Sequence, residues 1–306
     1  MRPEVDSHRR FADIRLMSNL ANRIRTVDHR DAPDSWRMDT LAPSNTLAPF
    51  LRRATAYTVQ GAGLSRQREL PNGSAVLVFN LGSELRVEDT KGRRHRFSNP
   101  AAFYSGPSDS YVVTETDGAQ EGIVVELTLP GARRLLGRPL NELRDSMISL
   151  ADLLGSRAYD VLERIVEARS PVARLALLEA AIEARIMEAG DRSARDLERA
   201  WNLQHVRGGR MPISELADAV GCSRKHLAVR FDREFGLSPK LLARIMRFDR
   251  AIRIVRFGNV TTWSDLAAEC GYADQAHMAR EFVAMAGDPP TALLRRSLPD
   301  EGGFID

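Results

Sequence analysis

The spacing of apolar and polar positions changes three times along the chain. Residues 1–40 are polar, rich in Arg and Asp, and hold no sustained period. A flexible N-terminal arm is expected there, since too little apolar surface is available to offset the entropy of ordering. From 41 to about 130, short apolar runs are cut by Gly, Pro and Asn. Ala75 to Leu81 (AVLVFNL) reads as a buried strand, entered through the turn signal Pro71-Asn72-Gly73. Leu85–Glu88, Arg94–Phe97, Tyr111–Glu115 and Gly122–Leu129 are further strands, with a turn at Gly106-Pro107. Strands this short and this closely spaced predict a small antiparallel barrel or sandwich.

Between 130 and 192 the period becomes helical. Pro130 near a start and Gly137 at an end bound the first helix. Leu140 to Leu154 gives one or two short helices. Tyr159–Ala168 carries Leu162, Ile165 and Val166 on one face, and Val172–Met187 carries Leu175, Leu178, Ile182 and Ile186. These amphipathic helices cover the strands or a second subunit. Residues 41–192 are thus expected as one regulatory or dimerisation domain, with a boundary at Gly190–Ser193.

The third stretch, 194–298, contains a repeat. Arg195 to His205 is a leading helix with Leu197 and Trp201 inward, ended by Gly208-Gly209. In Ile213–Phe235 a short helix reaches Gly221, which can take the left-handed conformation of a sharp turn. Ser223 caps a second helix whose Leu227, Phe231 and Phe235 point inward, and Ala217 is small enough for the two helices to touch. That is helix-turn-helix logic. Shifted by 50 residues, the pattern returns over 263–286: Ala267 for Ala217, Gly271 for Gly221, Asp274 as cap, and Met278 and Phe282 for Leu227 and Phe231. Thr262 and Asp265 form a capping box, Gly287 repeats Gly236, and Pro290 matches Pro239. Between the copies, Pro239–Phe257 predicts one continuous linker helix. Its arginines at 244, 247, 250, 253 and 256 drift around the helix, so one or two of them can meet a phosphate strand while the others are solvated.

Charge sharpens this picture. Residues 201–298 hold 15 Arg/Lys against 10 Asp/Glu, a surplus of five in a chain whose net charge is +3. A basic third on a near-neutral body points to double-stranded DNA as partner. A recognition helix fits the major groove, and two on one rigid linker can enter successive groove segments roughly 34 Å apart. The outward positions of the first such helix are Arg224, Lys225, Ala228 and Val229. Those of the second are Gln275, Ala276, His277, Ala279 and Arg280. Arg and Lys suit guanine, Gln suits adenine, and Ala or Val suits the thymine methyl. Arg280, Lys225 and Gln275 rank highest.

Other chemistry finds little purchase. Two cysteines, Cys222 and Cys270, make no disulfide framework or zinc site and are expected reduced and buried. The β-rich region has one histidine, His95, so a metal site is not expected, and no nucleophile elbow or phosphate loop occurs. No cofactor is expected, and no enzyme. No apolar run spans a membrane and no signal peptide is evident, so a cytoplasmic protein is expected.

The pair ISELADAVGCSRKHLAVRF and WSDLAAECGYADQAHMAREF resembles the DNA-binding domain of AraC/XylS-family bacterial transcription regulators. The second half is the more specific, through Gly271, Tyr272, Asp274, Gln275 and His277, followed by Arg-x-Phe, Gly and Pro. Met278 and Ala286 stand where the family often has Phe or Leu and a longer apolar residue. Residues 41–155 are similar to the N-terminal domain of a subgroup, through Leu47–Phe50, Leu77–Gly82, Gly106-Pro107 and Gly131–Gly137. The resemblance implies an α+β chain: a small cupin-like β-barrel with packed helices, then an all-α double helix-turn-helix domain. It implies DNA reading by both recognition helices, and an N-terminal domain that binds a small-molecule effector, forms a homodimer, or both. Transcription would then be altered by recruiting or excluding RNA polymerase. Two other readings stand beside it: a constitutive DNA binder without effector, and a DNA-targeted enzyme.

Overall fold

The computed structural model describes residues 20, 22–30, 35–61, 64–189, 195–257, 262–298 and 303–306. The segment 1–19 and the boundary expected at 190–193 lie outside them. Strands come first: β1 Ile24–His29, β2 Ser35–Leu41, β3 Leu51–Gln60, β4 Leu64–Glu69, β5 Ala75–Asn80, β6 Leu85–Asp89, β7 Arg94–Phe97, β8 Ala101–Ser105, β9 Val112–Asp117, β10 Gln120–Leu127 and, later, β11 Met147–Ser149. They form two antiparallel sheets, one ordered β1-β2-β3-β10-β5-β8-β11 and one ordered β4-β9-β6-β7.

The α+β organisation is as expected, but among the described residues the strands do not close into a barrel. Edge strand β4 pairs outward instead: Arg68 N–H donates to Phe304 C=O at 2.8 Å, and Asp306 N–H donates to Arg66 C=O at 3.0 Å. The expected arm is also corrected. Over the described residues β1 and β2 form an antiparallel pair laid on β3, in register Met38↔Tyr57 and Thr40↔Thr55. It is fastened from outside by Arg23, which donates to both carboxylate oxygens of Glu179 at 2.7 and 2.6 Å. Its alternation is half charged, which is how an edge strand reads when one face is wet.

Alternation in the large sheet divides its two faces. Ile123, Val125 and Leu127 of β10 lie level with Leu77, Phe79, Ala54 and Ala56 of the neighbouring strands, and all are buried. This face is covered by α1 Leu129–Leu136, α2 Leu150–Leu154, α3 Ser156–Glu167 and α4 Pro171–Ala189. The opposite face meets the small sheet across a much smaller cluster of Leu85, Val87 and Phe103, where Phe97 stacks on Phe103 at 3.6 Å.

The remaining helices are α5 Arg195–Val206, α6 Ile213–Ala219, α7 Arg224–Phe235, α8 Pro239–Phe257, α9 Trp263–Cys270, α10 Gln275–Ala286 and α11 Pro290–Arg295. Their apolar faces join the same core that backs the large sheet, so one hydrophobic cluster runs through both halves of the chain. Polar ties reinforce the junction. Arg134 is bidentate on Glu198 at 2.7 and 2.8 Å, and Arg52 reaches Asp249 at 3.1 Å.

The linker arginines depart from expectation: they mostly hold the fold. Arg244 donates to the buried carboxylate of Glu281 at 2.7 Å, and Arg247 to the Gly209 carbonyl at 3.1 Å. Arg250 meets Glu269 at 2.9 Å, Arg253 meets Asp249 at 3.3 Å, and Arg256 lies over the Phe304 ring. Arg244, Arg247 and Arg250 thus tie α8 to both flanking units, while Arg253 pairs within α8 and Arg256 meets the C-terminal tail.

Two predictions follow from this packing. Glu281 is 5% exposed, so removing its partner strands a buried charge. Arg244→Ala is expected to cost about 2–3 kcal/mol, below the fully buried case because Arg244 is itself partly wet; urea denaturation measures it. His205 stacks on Trp201 at 4.8 Å beside the Arg52–Asp249 pair. Burial, aided by Arg52 and Arg253 and opposed by Asp249, holds its pKa below the usual imidazole value. The unfolded chain therefore takes up this proton first as pH falls, near pH 6.5, while the folded chain resists it. Stability is expected to fall as pH drops below about 6.5, modestly because His205 is partly exposed, and His205→Gln should flatten that slope.

Candidate nucleic-acid interface

The two helix-turn-helix units are built alike, bond for bond. In the first, Gly221 N–H donates to Asp218 C=O at 3.1 Å and Cys222 N–H to Ala217 C=O at 3.0 Å. In the second, Gly271 N–H donates to Ala268 C=O at 3.1 Å and Tyr272 N–H to Ala267 C=O at 2.9 Å. Both glycines have positive φ, 70° and 78°, where a side chain would be strained. Ala217 and Ala267 are each 1% exposed, so the helix pairs touch where a larger residue would part them.

The recognition helices α7 and α10 start from matched caps. The Ser223 hydroxyl accepts from His226 N–H at 3.2 Å, and the Asp274 carboxylate accepts from His277 N–H at 2.6 Å. Each then buries a hydrophobic side, Leu227, Phe231 and Phe235 in α7 and Met278, Phe282 and Met285 in α10. Neither helix has an acidic residue in its first turn; the α7 end carries a neutral hydroxyl cap, whereas the Asp274 carboxylate offsets the positive end of α10. Half of the expected capping box forms at α9: Thr262 accepts from Asp265 N–H at 3.1 Å, and its hydroxyl donates to the Asp265 carboxylate at 2.8 Å.

On these helices the side chains named from sequence divide into two kinds. Arg224, Lys225, Gln275 and Arg280 are exposed, with no hydrogen bond or ion pair among the described residues. Val229 is 62% exposed, an apolar side chain left in water at the first outward turn of α7. Ala228 is half-buried beside it. His277 is the exception. Its Nδ1 faces Ala273 N–H at 3.5 Å, its Nε2 lies 3.6 Å from Glu281, and its ring stands edge-on to Tyr272. The fold employs it at the root of α10, leaving Gln275 and Arg280 as the unengaged polar groups of that helix.

Three residues were missed from sequence. His226 is exposed beside Lys225. Arg207 and Arg210 line a shallow concavity with Met211, Pro212 and Glu215 at the entrance to the first unit. Arg210 also runs over the turn of the second unit, where its Cγ would lie 2.9 Å from any Cβ added to Gly271. Their only sequence signal was a basic pair around a glycine turn. Of the cysteines, Cys270 is buried and its thiol is pushed up to about 11 by that burial, while Cys222 is half-buried. Among the described residues no cluster of His, Cys, Asp and Glu could hold a metal ion, and no helix is long and apolar enough to cross a membrane.

Comparison with known proteins agrees with this construction. Residues 216–296 match a family described as a helix-turn-helix domain, and residues 39–149 match a domain of unknown function, DUF6597. No curated protein matches the chain. Among solved structures it is similar to ToxT from Vibrio cholerae O395, at 11% identity over 76% of this chain and 96% of that one, with a TM-score of 0.46. It is also similar to unsaturated fatty acid bound ToxT from V. cholerae strain SCE256, at 12% identity over 83% and 96%, with a TM-score of 0.47. The DNA-binding domain of AdpA, a global transcriptional factor in complex with a target DNA, aligns at 19% identity over 32% and 87%, with a TM-score of 0.30. The chain thus carries a helix-turn-helix domain over residues 216–296, behind a domain of unknown function over residues 39–149.

Proposed function

We propose that this chain is a sequence-specific regulator that reads two successive major-groove segments of one DNA face with α7 and α10. The observation that carries this is the duplicated unit with unengaged polar side chains at the start of each recognition helix. Arg224, Lys225 and Val229 serve one groove segment, and Gln275 and Arg280 the other. Because α8 fixes the two units on one chain, a single copy can read an asymmetric site.

The N-terminal domain is proposed to control this reading through a small-molecule effector, through a second copy of the chain, or through both. What supports an effector is the thin packing between the sheets: Met38, Tyr57, Val78, Thr114 and Val124 line the facing surfaces and are only half-buried. RNA polymerase is the proposed downstream partner. A thermal-shift panel of metabolites tests the effector: a compound that raises the melting point and changes DNA affinity supports it. A flat panel with unchanged DNA affinity favours a constitutive binder.

The base contacts are tested on a site selected from random DNA. Arg280→Ala is expected to cost about 1–3 kcal/mol of binding and to relax preference at one base pair, with Lys225→Ala doing the same in the other half-site. Uniform weakening on all sequences would assign that side chain to phosphate.

A further inference from the structure

Both recognition helices are gripped at their C-terminal ends by the N-terminal domain. An α-helix leaves its last carbonyls without partners of its own. In α7 the Glu234 carbonyl accepts from Leu140 N–H at 3.2 Å, and Arg133 Nε donates to the Glu234 carboxylate at 2.7 Å. In α10 the Ala286 carbonyl accepts from Arg68 Nη1 at 2.6 Å. Leu140, Arg133 and Arg68 all come from the N-terminal half. A guanidinium at a helix C-terminus also meets the negative end of the helix dipole.

Each helix ends in a left-handed cap glycine, Gly236 two residues after Glu234 and Gly287 directly after Ala286, and these two are equivalent in the repeat. A Cβ on Gly236 would lie 2.8 Å from Leu140 O and 3.3 Å from Pro107 Cγ. A Cβ on Gly287 would lie 2.9 Å from the Tyr111 ring and 3.1 Å from Arg68 Nη1. Pro107 and Tyr111 belong to the same short connection between β8 and β9, so one loop sits in both seats.

Arg68 is the hub of the second seat and is 8% exposed. Besides Ala286, its Nη1 donates to Asp288 at 2.9 Å, and its Nε and Nη2 donate to Asp306 Oδ1 at 3.1 and 2.8 Å. Its guanidinium lies over the Tyr111 ring, 4.6 Å from the centroid. Asp306 is held in turn by Arg66 at 3.1 Å. This is a large polar investment at a point that touches neither the helix-turn-helix turns nor the base-reading ends of the helices.

We propose that the 106–111 loop and Arg68 form a two-seat clamp that sets the separation and tilt of α7 and α10, which makes Arg68 and Tyr111 positioning residues for DNA recognition. The proposal rests on the reading of both helices as DNA readers. Its logic is that of a lever: the reading ends of two helices held by α8 alone can still tilt, whereas helices also held at their far ends cannot. A movement of β4 against the β8–β9 loop would then change how well the pair fits two groove segments.

The test uses the full chain and DNA duplexes carrying both selected half-sites, with their spacing changed by −1, 0, +1 and +2 base pairs. Wild type is expected to show a sharp optimum, losing about tenfold in affinity for one inserted pair. Tyr111→Ala and Arg68→Lys, which keeps the charge and loses the multi-donor fork, should leave affinity for an isolated half-site within about threefold. They should also cut the spacing penalty to about threefold or less. Using two variants covers the case in which one fails to fold, checked by circular dichroism. A folded variant with the wild-type spacing profile overturns the clamp. A wild-type protein indifferent to the second half-site overturns the two-helix reading itself, and the clamp with it.

Discussion

The relation between the two helix-turn-helix units depends on one helix, α8, being packed against both. Its apolar stripe enters the common core through Leu242, Ile245, Phe248 and Ile252, and Phe248 meets Phe282 of the second recognition helix edge-on at 4.9 Å. Its polar side is equally committed. Arg247 binds the Gly209 carbonyl at the entrance to the first unit and lies over Tyr272 in the turn of the second. Arg244 ties Glu281 in the middle of α10. In proteins, tertiary packing of the apolar face supplies most of the stability of such a helix. Two recognition helices are thus tied to one core by α8 side chains that are engaged within the fold.

That arrangement is enclosed by the N-terminal domain rather than tethered to it. The hydrophobic core continues from the back of the large sheet, through α1 and α4, into α5 and the first helix-turn-helix unit. The ion pairs at the junction are mostly half-buried or better, which makes them costly to break singly. Packed elements therefore join the N-terminal half to the helix-turn-helix half.

Much of this was legible in the sequence, and unevenly so. The C-terminal third was read nearly to the residue, because Gly221 and Gly271, the caps Ser223 and Asp274, and the apolar pairs Leu227/Phe231 and Met278/Phe282 are local signals repeated at fixed spacing. The strands with apolar alternation, β5 and β10, were equally plain. The β1–β2 pair was not, since its alternation is half charged and its stability comes from β3 and from Glu179 far along the chain. Non-local pairing also hid β4, which pairs with β9 and is bridged on its other edge by Ile305, more than two hundred positions away. The roles of the α8 arginines were misread for the same reason: periodicity gives an azimuth, and only the fold says whether a carboxylate waits there. His277 reads as a base contact in sequence, yet Tyr272 and Glu281 surround it.

The central claim is that one chain reads two groove segments on one face of DNA. Methylation interference of the full-length protein on a selected duplex tests it most directly. The account predicts two clusters of interfering guanines, about 10 base pairs apart on the same face, with no symmetry between them. A single cluster, or two related by a palindrome, would contradict it.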